Sequence, residues 1–176
     1  MKHWSDTITR MHACPNAVAW LQTQPDAKTA WRVCKRGDWM LWLIWALCKT
    51  ADDRKALVLA ACACARLALK YIPKHELRPL RAIETAEAWG RGGCTERPTA
   101  VGNDALRAAH DLVVPPYTVN SDHSLFKKMV TQREAAEAAA CAFYATAAGP
   151  PAGSVIEKTR RKCADIVRQH YPKSPL

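Results

Sequence analysis

The apolar residues of this chain come in short dense runs separated by proline, glycine or aspartate, and their spacing predicts helices. A first helix is expected from about Asn16 to Thr23, after Pro15 and before Pro25. Asp26 then caps a second, which reaches about Lys35 with Gly37 as its C′ residue. Asp38 follows as the next N-cap. The segment Trp39 to Leu47 is apolar on every side, with Trp39, Trp42 and Trp45 every third residue, so it predicts an enclosed central helix. Asp52 or Asp53 opens a helix running to about Tyr71 and stopped by Pro73; between Lys55 and Lys70 its one charge is Arg66. A fifth helix is expected from about Pro79 to Trp89, with Gly90 as its stop.

Residues 90–103 read as an irregular loop, and Asn103 caps a short helix to about Leu112. Pro115-Pro116 forces extended chain, leaving residues 113–120 irregular. The longest helical stretch is expected from about Ser121 to Ala148, with a break near Thr131, where Thr131 to Glu134 matches a capping box. A final helix runs from about Ser154 to His170. Val155, Thr159, Cys163, Ile166 and Val167 form its inner face, and Lys158, Arg161, Lys162 and Arg168 its outer side. No repeat of solenoid length is present. The expectation is one all-α domain over residues 1–176, of about seven or eight helices, centred on Trp39 to Leu47 and Leu57 to Leu69.

Composition supports the helical reading. The chain has 31 alanines among its 176 residues, and alanine favours helices over strands. Hydrophobic residues make up 49% and charged residues 24%, which argues against wholesale disorder and a membrane-embedded body. The longest apolar stretches, Trp39 to Cys48 and Ala56 to Leu69, are too short to span a bilayer. The start, Met-Lys-His-Trp-Ser-Asp, lacks the apolar run of a secretory signal, so the eight cysteines are expected to be reduced thiols in a cytoplasm. Lys and Arg number 26 against 16 Asp and Glu, and the formal charge of +10 points to an anionic partner.

Candidate chemistry is sparse. There is no Cys-x-x-Cys pair or paired histidines at ligand spacing, and Cys62 and Cys64 diverge on a helix, so neither a metal nor a cofactor is expected. Cys34, Cys48, Cys62, Cys64, Cys141 and Cys163 read as small core hydrophobes. Cys94, in a glycine-rich loop between Arg91 and Arg97, is the candidate reactive thiol, but a base such as His110 or His123 is distant in sequence. Glu84 and Glu87 share a helix face at catalytic spacing, yet ion pairing explains them better. Arg66 in an apolar helix needs neutralising, so a structural network with Asp38, Glu84 or Glu87 is expected. Arg36-Gly37-Asp38 is read as a helix stop and cap, not as an adhesion tripeptide. Phosphate-loop, dinucleotide and nucleophile-elbow motifs are absent. Lys158, Arg160, Arg161, Lys162 and Arg168 form the strongest concentration of charge. A solvated helix face is the bland account, and an anion-binding surface the functional one.

Four blocks in order resemble the predicted all-helical immunity proteins of bacterial polymorphic toxin systems, specifically the fifth numbered class and its relatives. They are Cys34-Lys-Arg-Gly-Asp-Trp-Met-Leu-Trp-Leu43, Leu57-Val-Leu-Ala-Ala-Cys-Ala-Cys-Ala-Arg-Leu-Ala-Leu69, Ala82-Ile-Glu-Thr-Ala-Glu-Ala-Trp-Gly-Arg91 and Cys163-Ala-Asp-Ile-Val-Arg168. The resemblance implies a non-enzymatic helical protein that neutralises a toxin by binding it, or a host or defence factor in a phage setting. It supplies no catalytic residues. Residues 98–120, with their Pro-Pro and irregular character, depart from the alanine- and tyrosine-rich helical region the family carries there. The expected partner is a protein with an acidic surface; the alternative is a nucleic acid bound by the last helix.

Overall fold

The computed structural model describes residues 4–67, 69–71, 74, 75, 77–93 and 153–176. Among them are seven α-helices, one 3-10 turn at Leu69–Tyr71 and no strand. The helices are α1 (Asp6–Arg10), α2 (Pro15–Gln22), α3 (Ala27–Val33), α4 (Gly37–Leu47), α5 (Ala51–Arg66), α6 (Arg78–Gly90) and α7 (Gly153–His170). The sequence-predicted helices at Asn103 to Leu112 and Ser121 to Ala148, the loops beyond residue 93, Cys94, Cys141, His110 and His123 lie outside the described residues.

Local chemistry explains most of the boundaries. Pro15 opens α2 at a first-turn position where its missing N–H costs nothing. Asp26 caps α3 by accepting from the Thr29 amide at 2.7 Å. Helix α5 begins in a reciprocal capping box. Thr50 Oγ accepts from the Asp53 amide at 3.1 Å, and Asp53 accepts from the Thr50 amide at 2.9 Å. Thr50 is therefore the cap, and Asp53 sits three residues inside rather than opening the helix. The helix stops at Arg66, short of the expected Tyr71, and the chain tightens into the 3-10 turn. Gly90 is the last residue of α6 rather than its stop; that role falls to Gly92, whose φ of 78° is left-handed. The amides of Gly92 and Gly93 close onto the carbonyls of Trp89 and Ala88.

The interior divides on α5. Its Leu57 and Cys64 face a cluster with Met40 and Ile44 of α4, Trp31 of α3, and Ala164 and Val167 of α7. On another side, Val58, Cys62 and Ala65 meet Ile83 and Ala86 of α6. Alanine and cysteine at these positions let the α5 and α6 backbones approach closely. Helix α4 has no exposed position, as its all-apolar pattern predicts, but Trp39, Trp42 and Trp45 are only half-buried. Met40, Leu43 and Ile44 supply its buried side. Short α1, absent from the sequence-based expectation, docks by Ile8, which is 2% exposed.

Gly37 and Asp38 take different roles from those predicted. Helix α3 ends at Val33, and Gly37 is the first residue of α4, not a C′ stop. A side chain there would come within 2.7 Å of the Ala164 amide nitrogen and of the Cys163 carbonyl carbon. Glycine is needed because α7 passes directly over this backbone. Arg36 is the residue at the N-cap position, and Asp38 lies in the first turn. There Asp38 is held by Arg36, whose Nε donates to Oδ1 at 2.9 Å.

Candidate functional site

Helix α7 carries the densest charge, and its seating decides which of those charges are available. Ala164 and Val167 are fully buried, with Cys163 and Ile166 half-buried beside them. Three or four residues apart on the opposite side, Lys158, Arg161 and Lys162 are exposed, and none forms an ion pair with a described residue. Arg160 is already engaged, donating to Glu157 at 3.2 Å.

Arg168 belongs to the fold, not to the outer face where the sequence pattern put it. Its Nη1 donates to the Cys34 carbonyl at 2.8 Å and the Trp31 carbonyl at 3.3 Å, and its Nη2 to Asp165 at 2.6 Å. Trp31 returns the contact, donating from Nε1 to the Tyr171 carbonyl at 3.0 Å. These bonds tie the end of α3 and the following turn to α7.

The turn brings further charge. Gly37 abuts Cys163, Cys34 accepts from Arg168, and Arg36 feels the charge of Glu157, so the 34–37 segment runs along α7. Arg36 is spent on Asp38 and on the Trp39 ring, with its guanidinium 4.3 Å from the ring centroid. Arg32 and Lys35, however, are exposed and form no ion pair with a described residue. They add two exposed cations on a segment whose backbone packs against α7 at Cys163, Ala164 and Arg168. Strong like charge with little local neutralisation attracts an anionic surface from a distance and orients its approach.

The other predicted polar group resolves into two separate pairs. Arg66 meets Glu87 through two parallel bonds, Nε to Oε1 at 2.6 Å and Nη2 to Oε2 at 2.9 Å. Arg91 adds a third to Oε2 at 3.3 Å. Glu84 is exposed and reaches Arg66 only through its charge, and Asp38 pairs with Arg36 instead. The Arg66 hydrogen bonds hold the Glu87 carboxyl below the usual glutamate range, against the opposing effect of burial.

Because the folded value is depressed, this pair stabilises fully above the unfolded glutamate pKa and loses its contribution as pH falls through the folded one. Glu87→Gln is expected to cost ~1 kcal/mol at neutral pH, a figure discounted because Arg66 is partly open to solvent. The gap between variant and parent, followed by denaturant titration, should shrink below the ordinary glutamate pKa. A gap that stayed constant through acid would exclude the ionised pair as its source.

The described cysteines act mainly as packing. Burial pushes the Cys62 thiol up to about 12 and raises that of Cys34, so neither is a nucleophile at neutral pH. Among the described residues no group of three His, Cys, Asp or Glu side chains is placed to hold a metal ion. No helix among them is long and apolar enough to cross a membrane.

The described part is thus an all-helical protein that presents a basic, solvent-facing surface on its last helix and the α3–α4 turn. No protein-family model, curated protein or solved structure matches the chain significantly.

Proposed function

We propose that the protein acts without catalysis, by binding and blocking a protein partner that presents an acidic surface, in the manner of an immunity protein or of a phage inhibitor of a host or defence factor. The observation that carries this reading is the set of exposed cations Lys158, Arg161 and Lys162 on one side of α7, with Arg32 and Lys35 exposed on the segment packed against that helix, all without ion-pair partners among the described residues. Blocking needs a stable shape with complementary charge, and a helix anchored by Arg168 and Gly37 provides it.

Nucleic acid is the second reading, favoured by the same charge and by the formal +10. The two separate in one experiment. Parent protein and the triple variant Lys158→Glu, Arg161→Glu, Lys162→Glu are immobilised and exposed to extract of the native host, with and without nuclease. The expected result is a nuclease-resistant, saturable protein partner, with at least ~10-fold weaker retention on the variant and an unchanged melting temperature, since these side chains are exposed. Equal retention on both proteins would remove the basic face from the reading. A mobility shift whose affinity falls steeply with salt, together with loss of capture after nuclease, would transfer the function to nucleic acid.

A further inference from the structure

Cys64 of α5 and Cys163 of α7 lie far apart in sequence and meet where these two helices cross. The Cys64 thiol donates to the Cys163 carbonyl oxygen at 3.7 Å, and the two thiols are close enough to shift one another's titration. Cys64 is buried and Cys163 half-buried, so a small solute reaches the second more readily than the first. Neighbouring cysteines point elsewhere. Cys62 turns to α6, with its sulfur 3.8 Å from the Ile83 carbonyl, and Cys34 turns to the Arg36 carbonyl at 3.6 Å.

We propose that Cys64 and Cys163 are an oxidisable dithiol, which a peroxide converts into a disulfide joining α5 to α7. The surroundings divide the labour between them. Interaction with Cys64 lowers the Cys163 thiol's pKa, whereas the same interaction together with burial raises that of Cys64. The first residue of α4, Gly37, rests against Cys163, so the positive end of that helix further favours a thiolate there, while Asp38 opposes it. Cys163 is accordingly the attacking sulfur and Cys64 the resolving one.

In the first step the Cys163 thiolate attacks hydrogen peroxide. An S–O bond forms, the O–O bond breaks, and the departing hydroxide takes a proton to become water, leaving a sulfenic acid. Cys64 then loses its proton to solvent and attacks the Cys163 sulfur. The S–S bond forms, the S–O bond breaks, and hydroxide leaves as a second water after protonation. Two thiols are oxidised by two electrons, and one peroxide is reduced to two waters. The product fixes α7 covalently to α5, independently of whether the basic face binds protein or nucleic acid.

The test uses the full chain, reduced, freed of reductant, and treated with one equivalent of hydrogen peroxide. The thiol titre is expected to fall by two from eight, and dithiothreitol should restore it. Trypsin should release the peptide Ala56–Arg66 joined to Cys163–Arg168, with fragmentation placing the link on Cys64 rather than Cys62. In Cys64→Ser, the sulfenic acid at Cys163 should persist long enough for dimedone to trap it. Cross-linking to any other cysteine, or oxidation of exposed Cys14 while this pair stays reduced, would overturn the proposal. The peptide map on the unmutated chain decides the matter even if the serine variant folds poorly.

Discussion

Gly37→Ala is expected to lower stability by ~3 kcal/mol, which corresponds to a fall of roughly 6–12 °C in Tm. The new methyl group would point at the backbone of Cys163 and Ala164, atoms that cannot rotate away. Relief requires α7 to lift from the start of α4, and Ala164 and Val167 lose their burial as it does. Gly90→Ala provides the comparison. A methyl group there meets Cδ2 and Cγ of Leu59 at 2.8 and 2.9 Å, a side chain that can shift where the α7 backbone cannot, so a loss of ~1 kcal/mol, smaller than at Gly37, is expected. Thermal melts of the two variants side by side check the argument. Equal losses would show that the cost at Gly37 does not come from the close approach of α7, since helix propensity alone favours alanine at both positions.

Arg168→Leu is expected to cost ~2 kcal/mol, because one guanidinium satisfies the carbonyls of Trp31 and Cys34 and also pairs with Asp165. Leucine restores the apolar stem but leaves these carbonyls without their donor. Arg168→Lys should recover only part of the loss, since an ammonium lacks the planar fork that spans carbonyls and carboxylate together. Denaturant midpoints measure both variants. Removing Lys162 by substitution with leucine should be close to neutral for stability, and a loss matching that of Arg168→Leu would contradict the division between anchoring and exposed cations drawn here.

Helix boundaries set by local chemistry were legible in the sequence. Asp26 at the start of α3, Pro15 at α2 and the limits of α7 follow from residues within one turn of each end. Gly37 misleads because a glycine after an apolar run has two explanations, a left-handed stop or a close crossing, and only the position of α7 distinguishes them. Arg168 misleads for a related reason. Helical spacing says which direction a side chain leaves the axis, but a long arginine bends back to whatever acceptors a neighbouring segment offers. The outward position of Lys158, Arg161 and Lys162 follows from helical spacing along α7, whereas the exposure of Arg32 and Lys35 depends on how the α3–α4 segment packs. The Arg66 partner was narrowed to three carboxylates by charge balance, and packing of α5 on α6 selected Glu87. The five-residue α1 is too short for periodicity to register.

The seating of α7 also orders events during synthesis. Met40, Ile44, Leu57 and Cys64 share their cluster with Ala164 and Val167, which emerge from the ribosome more than a hundred residues after α4. Until then α4 and α5 lack the α7 residues that complete this cluster. Local helices can form early, but this cluster is completed only after translation has passed Val167, so its closure is a long-range, late step of folding.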